Sequence, residues 1–180
     1  MSKAFIVVDM IVDFVADDGA LTCGKPGQAI VPNIVQEIHN TIEGGGTVFL
    51  CGDTHEPDDP EFAAWPVHAV KGTPGAAWLE PIEDAYKALA HTGRIKKVNK
   101  TKYDAFFRTE LEEELKQSGA DEVEVAGVCT SICVNATVGA ATFRGYPVTV
   151  RRSSVADFDQ KKHDIFLEHM AAIYKANIVD

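Results

Sequence analysis

The chain has 180 residues, 46% of them hydrophobic, and carries 17 Lys and Arg against 27 Asp and Glu for a formal net charge of -10. That length fits one domain, able to bury about 70% of the surface its unfolded chain exposes with no disulfide or metal staple. The acidic balance, with no basic run, argues against nucleic acid or an anionic membrane surface as partner and points to a small molecule.

The first apolar run, AFIVVDMIV, is interrupted by Asp9 and followed by no small-residue cleavage site, so a signal peptide is not expected. No apolar stretch is long enough to span a bilayer. The four cysteines, Cys23, Cys51, Cys129 and Cys133, form no CxxC pair and no disulfide framework. Free thiols and a cytoplasmic location follow as expectations.

In chain order, residues 4–10 (AFIVVDM) read as the first strand, and Ile30, Ile34, Ile38 and Ile42 then recur at helical spacing until Gly44, Gly45 and Gly46. Residues 47–52 (TVFLCG) and 94–99 (RIKKVN) read as the second and third strands, and 108–118 (RTELEEELKQS) as a helix stopped by Gly119. A fourth strand is expected at 122–127 (EVEVAG), helices at 131–144 and 160–174, a fifth strand at 147–151 (PVTVR) and a weak sixth at 177–179. Strand followed by helix, repeated, predicts a three-layer, doubly wound α/β fold. Its six-stranded sheet is mostly parallel, because right-handed crossovers between parallel strands place helices on both faces. Residues 53–81 stand apart as a long stretch rich in Pro, Asp, His and Trp, and a loop of that length in a compact domain usually carries function.

The reactive side chains fall where such a sheet binds ligands. Asp9 closes the first strand, Asp53 and His55 follow the second, Lys100 follows the third and Cys129 to Cys133 follow the fourth. Open parallel sheets bind at the carboxyl ends of their strands, where strand order reverses. For a doubly wound sheet that point lies between the first and fourth strands, so Asp9 and Cys133 face one another.

Cys133, in GVCTSICVNAT, falls in the first turn of a helix that follows a strand. Backbone N–H groups and the helix dipole favour a thiolate there, and the same groups can hold an oxyanion. A free Cys is nevertheless more often a small core hydrophobe. A metal or redox pair of Cys129 with Cys133 has no support from the CxxxC spacing. Asp9 reads either as a strand-end cap or as a general base with a raised pKa. An aspartyl-phosphate reading fails, because the next Asp, Asp13, lies four residues on. Lys100 has Lys96, Lys97 and Lys102 as neighbours, and composition does not choose among them.

In CGDTHEPDDPEFAAWPVHAVKG, Asp53 and His55 stand two apart, on one side of an extended stretch. His68, with Glu61 as a further and weaker candidate, would complete a divalent site of mixed N and O ligands suited to Zn, Mn or Fe. Glu56, Asp58 and Asp59 are alternatives to Glu61, and a polar loop facing water is the competing reading.

The ordered set VVDMIVDF, GDTHEPDDPEF with PVHAVKGTPGA, KTKYDAF and GVCTSICVNATVGAATFRGY resembles the cysteine hydrolase family of nicotinamidases and isochorismatase-like enzymes over nearly the whole chain. The resemblance implies an isochorismatase-like fold over residues 1–180 as a single cysteine hydrolase domain, with a metal-binding and substrate loop at about 53–81. It implies Asp9, Lys100 and Cys133 as the catalytic residues and backbone N–H groups of Cys129 and Cys133 as the oxyanion hole, beside a cis peptide between Val128 and Cys129. It implies one divalent metal, zinc first and manganese or iron as alternatives, on Asp53, His55 and His68, with Phe14, Trp65 and Tyr103 lining a ring pocket. The implied reaction converts nicotinamide to nicotinate and ammonia through a Cys133 thioester. The rival readings are a relative acting on another small amide or on an isochorismate-like ether, and a non-enzymatic thiol-sensing domain. Small α/β domains often pair through exposed helix faces, so a homo-oligomer stays open, although nothing identifies the patch.

Overall fold

The structure is a computed structural model and describes residues 2–180. Its six strands, β1 (Lys3–Val8), β2 (Thr47–Asp53), β3 (Ile95–Lys100), β4 (Glu122–Val128), β5 (Val148–Ala156) and β6 (Asn177–Val179), form one sheet in the order β3-β2-β1-β4-β5-β6. Every pairing is parallel, so the expected "mostly parallel" sheet is parallel throughout. Strand order reverses between β1 and β4, which leaves a crevice at their carboxyl ends.

Both faces of the sheet are covered, and the strands therefore read as near-continuous apolar runs. Along β1, Ala4, Ile6 and Val8 enter one core and Phe5 and Val7 the other, as the two-residue period of a strand requires. The first core is closed by α5 (Leu111–Ser118), α6 (Asn135–Phe143) and α7 (Gln160–Ile173) through residues such as Leu111, Leu115, Val138, Leu167 and Met170. The second is closed by α3 (Val31–Glu43) and α4 (Glu80–Leu89), with Ile34, Ile38, Ile42 and Ile82 on the buried stripe. Two short helices, α1 (Val12–Val15) and α2 (Lys25–Ala29), precede α3.

Several boundaries differ from the sequence reading, each for a physical reason. The helix α4 was not expected, because Pro81 reads as a loop residue. In the structure it occupies the first helical turn, where its missing N–H costs nothing. The stretch 53–81 is interrupted by 3-10 turns at Pro60–Ala63 and Pro74–Ala76. The predicted helix 108–118 begins only at Leu111. The helix expected from 131 opens as a π turn, Thr130–Val134, before α6. The strand β5 runs five residues past its expected end at 151, with a register shift opposite Val125 and Gly127. Gly127 lies at φ 115°, and a Cβ there would come within 1.9 Å of the Val8 carbonyl oxygen. Only glycine allows the ends of β1 and β4 to approach so closely.

Candidate active site

Asp9, Asp53, Lys100 and Cys133 all reach the crevice, and each is placed by the end of a different strand. Asp9 follows β1 with φ 58°, a left-handed conformation uncommon outside glycine, and its N–H donates to the Cys51 carbonyl at 2.9 Å. Its Oδ1 accepts the Asp53 N–H at 2.9 Å, and its Oδ2 lies 2.7 Å from Lys100 Nζ. Lys100, the last residue of β3, is wholly buried and also donates to Asp53 Oδ1 at 2.5 Å and to the Lys102 carbonyl at 3.2 Å. Of the neighbouring lysines, Lys96 and Lys97 pair outward with Glu114 and Glu83, and Lys102 pairs with Glu61. Lys100 is the lysine that enters the crevice.

The three ionisable groups set one another's charge. Burial lifts the Asp9 carboxyl to about 6, helped by the adjacent Asp53 carboxylate and opposed by Lys100. Burial works against the Lys100 charge, but Asp53 and Asp9 outweigh it and keep the ammonium protonated. Burial pushes the Cys133 thiol well up, against the pull of Lys100, while Asp9 sits within hydrogen-bonding reach of it. Burial thus opposes the thiolate that the helix dipole favours.

Asp53, His55 and His68 gather on the other side of Asp53, their ligand atoms within 4.8 Å of one another and all three side chains buried. His55 Nδ1 lies 2.9 Å from Asp59 Oδ2, and His68 Nδ1 lies 2.7 Å from the Pro66 carbonyl oxygen. Carboxylate and carbonyl only accept, so each Nδ1 carries a proton, and in the neutral ring each Nε2 presents a lone pair. His55 Nε2 is buried with no hydrogen-bond partner, 3.5 Å from Asp53 Oδ2. A buried lone pair facing a carboxylate is the arrangement a divalent cation completes, and the residues fit one. Glu61 falls in a second grouping with His55 and Asp59 and is paired to Lys102 at 2.6 Å. Asp59, weighed from the sequence only as a ligand alternative, orients the His55 ring.

Cys133 from the first cluster and Asp53 and His68 from the second line a cavity of about 400 Å³ together with Phe14, Trp65, Tyr103 and Cys129. Trp65 Nε1 donates to Tyr103 Oη at 2.9 Å, joining the loop after β2 to the segment after β3. The peptide between Val128 and Cys129 is cis. Leu21, Ile132 and Phe158 also line the cavity and carried no sequence signal. Neither did Asp157, whose Oδ2 accepts the Ser131 N–H at 2.8 Å and so caps the turn bearing Cys133. Reading β5 to Ala156 rather than 151 would have put Asp157 at a strand end with the other site residues.

A doubly wound parallel sheet whose reversal point gathers a carboxylate, an ammonium and a thiol defines the class, a parallel α/β domain with a cysteine at its switch-point cavity. Residues 3–179 match the isochorismatase domain. The chain is similar to the crystal structure of nicotinamidase/pyrazinamidase from Bacillus subtilis, 34% identical over 100% of both chains with a TM-score of 0.96. It is similar to pyrazinamidase/nicotinamidase from Streptococcus mutans, 37% identical over 99% of this chain and 100% of that one, with a TM-score of 0.95. Pyrazinamidase of Pyrococcus horikoshii in complex with zinc is 28% identical over 100% of this chain and 99% of that one, with a TM-score of 0.86. The chain belongs to the isochorismatase family.

Proposed function

We propose that the protein is a metal-dependent amidohydrolase that converts nicotinamide to nicotinate and ammonia through a thioester on Cys133. The observation that carries the reading is the grouping of Asp9 and Lys100 with Cys133 behind a cavity that Cys133, Asp53 and His68 line, with His55 beside Asp53 and His68. The names of the similar structures from Bacillus subtilis and Streptococcus mutans agree with the substrate, and the zinc complex of the Pyrococcus horikoshii relative agrees with the metal. On this reading residues 1–180 act as one cysteine hydrolase domain whose loop at about 53–81 supplies the metal and ring side of the pocket. Among the described residues no helix is long and apolar enough to cross a membrane, and all four cysteines are free. A cytoplasmic enzyme working on a small-molecule amide is consistent with both.

In the proposed cycle Asp9 takes the Cys133 proton, and the freed thiolate, facing the Lys100 ammonium, attacks the carboxamide carbon. Backbone N–H groups of Cys129 and Cys133 stabilise the oxyanion. Asp9 returns the proton to nitrogen, the C–N bond breaks and ammonia leaves. Asp9, again a carboxylate, draws a proton from water as the water oxygen attacks the thioester. Nicotinate departs and the thiol is restored. A carboxyl poised near 6 suits this double duty, because it neither holds nor releases the proton too strongly. Lys100 keeps the two carboxylates and the thiolate together without supplying a proton. Asp53, His55 and His68 would hold zinc, with manganese or iron as substitutes, and Glu61 would adjust the loop through Lys102. When bound, the ion supplies a Lewis-acidic anchor for the pyridine nitrogen, which is orientation catalysis. Phe14, Trp65 and Tyr103 would border the ring.

The deciding experiment is ammonia release from nicotinamide by zinc-loaded protein, beside the same sample stripped with a chelator. Fast release lost on stripping is the expected result. No release from folded, zinc-loaded protein would remove nicotinamide as substrate and turn the search to other small amides.

A further inference from the structure

Asp13 takes no part in the scheme above, yet its carboxylate is the junction of three segments around the cavity. It stands in the first turn of α1, and its two oxygens accept backbone N–H groups from two loops, one seven and one 56 residues away. Oδ2 accepts from Ala69 at 2.7 Å and Oδ1 from Ala20 at 3.2 Å. A third segment presses on the same group, since a Cβ added at Gly75 would fall 2.1 Å from Oδ2.

Ala69 is a demanding residue to hold. It follows His68, it is buried, and its φ of 45° lies in the left-handed region, which costs an L-residue roughly 1 kcal/mol. Its carbonyl accepts the His55 N–H at 2.9 Å, and the His55 carbonyl accepts the Lys71 N–H at 2.9 Å. The backbones of both histidines therefore meet at Ala69, and Asp13 pins it from the far side with a charge-assisted hydrogen bond. Asp13 also holds Ala20, in the stretch Gly19 to Thr22 that lines the cavity, so the pocket wall and the histidine loop hang from one carboxylate.

We propose that Asp13 is a positioning residue for the metal cluster. By fixing the left-handed turn at Ala69 it aims His68 at Asp53 and His55, without touching ion or substrate. This inference rests on the metal reading above and extends it to a residue outside the ligand set.

The test measures zinc affinity of chelator-stripped wild type, Asp13→Asn and Gly75→Ala by competition with a chromophoric chelator, together with the rise in melting temperature that saturating zinc produces in each. Asn offers one acceptor oxygen where two N–H groups must be met, and the Gly75→Ala methyl displaces the carboxylate without changing charge. Both variants are expected to bind zinc about 10- to 100-fold more weakly, the size of effect that loss of an outer support has on a metal site. Their zinc-induced rise in melting temperature should shrink accordingly. A purely structural role would lower the melting temperature of the stripped protein and leave zinc affinity alone. Zinc binding by both variants within twofold of wild type overturns the proposal while the metal reading stands. If wild type itself binds no zinc, the metal reading falls and this one with it. Should Asp13→Asn fail to fold, Gly75→Ala decides.

Discussion

The Asp9, Lys100 and Cys133 side of the cavity hangs from strand ends, whereas the His55 and His68 side hangs from a loop, and the two reach order by different means. On the first side the parallel ladder fixes the backbone, and the side chains hold one another through short charged contacts at 2.5 to 2.7 Å. On the second the backbone has only an isolated bridge between His55 and Val70 and is otherwise tied by side-chain contacts, such as Asp13 to Ala69, Asp59 to His55 and His68 to Pro66. Asp53 belongs to both sides, with Oδ1 toward Lys100 and Oδ2 toward His55. Burial works against its charge, but the Lys100 ammonium opposes burial, and the carboxyl lies below its ordinary range. The strand-end side should therefore be intolerant of any change, and the loop side tunable.

Breaking the strand-end side gives the largest effects. Cys133→Ala should lower ammonia release by more than about 1,000-fold with the circular dichroism spectrum kept, since a covalent route has no substitute for its nucleophile. Retention of appreciable turnover would remove Cys133 from the scheme. Lys100→Met strands Asp9 and Asp53 as buried carboxylates without a counter-charge. It should cost about 3 to 5 kcal/mol in urea unfolding, the range for breaking a buried ion pair. A loss under about 1 kcal/mol would mean that water replaces the ammonium.

Changes on the loop side should be graded. Asp59→Asn keeps the fold and leaves the His55 ring less well oriented, and zinc affinity should fall about 10-fold or more with stability nearly unchanged. Tyr103→Phe removes the acceptor of the Trp65 N–H. It should raise KM by no more than about 5-fold, in line with roughly 1 kcal/mol for a partly exposed hydrogen bond, with kcat unaltered. An equal fall in kcat would place that contact on the reaction path.

The smallest effect is one of pH on the support behind Cys133. His163 Nδ1 lies 2.9 Å from Thr130 Oγ1 in the turn that bears Cys133, and burial lowers its pKa from 6.5. Because the folded protein binds that proton less readily than the unfolded chain, His163 favours folding above the unfolded pKa. That contribution fades as pH falls below about 6.5. His163→Gln should flatten the decline of the urea midpoint between pH 7 and about pH 5. An unchanged slope would assign the decline to other groups.

How much of this was legible in the sequence follows the same division. The strand-end residues were placed because apolar runs with period two mark strands, and the reversal point of a parallel sheet is fixed by topology. Asp9, Lys100 and Cys133 thus followed from general rules together with the family resemblance. The loop side was legible only as a list of ligand types. That Asp59 orients His55, or that Asp13 reaches Ala69 across 56 residues, depends on side-chain to backbone bonds that leave no periodic trace. Pro81 concealed α4 because proline at the start of a helix and proline in a loop look alike until the following turn is weighed. Asp157 was missed because β5 extends past the end of its apolar alternation.

One feature of the sheet reaches beyond the site. The strands β1 and β4 are neighbours, with Lys3 opposite Glu122 and Val8 opposite Gly127, although more than a hundred residues separate them. A partly folded chain holding only β1, β2 and β3 would contain Asp9, Asp53 and Lys100 but not Cys133. Contacts of such sequence separation form late, since loop closure must precede the packing that rewards it. Recovery of activity after denaturant is diluted should then coincide with the last and slowest tertiary step. A nascent chain of this protein would be chemically silent until its second half had joined the sheet.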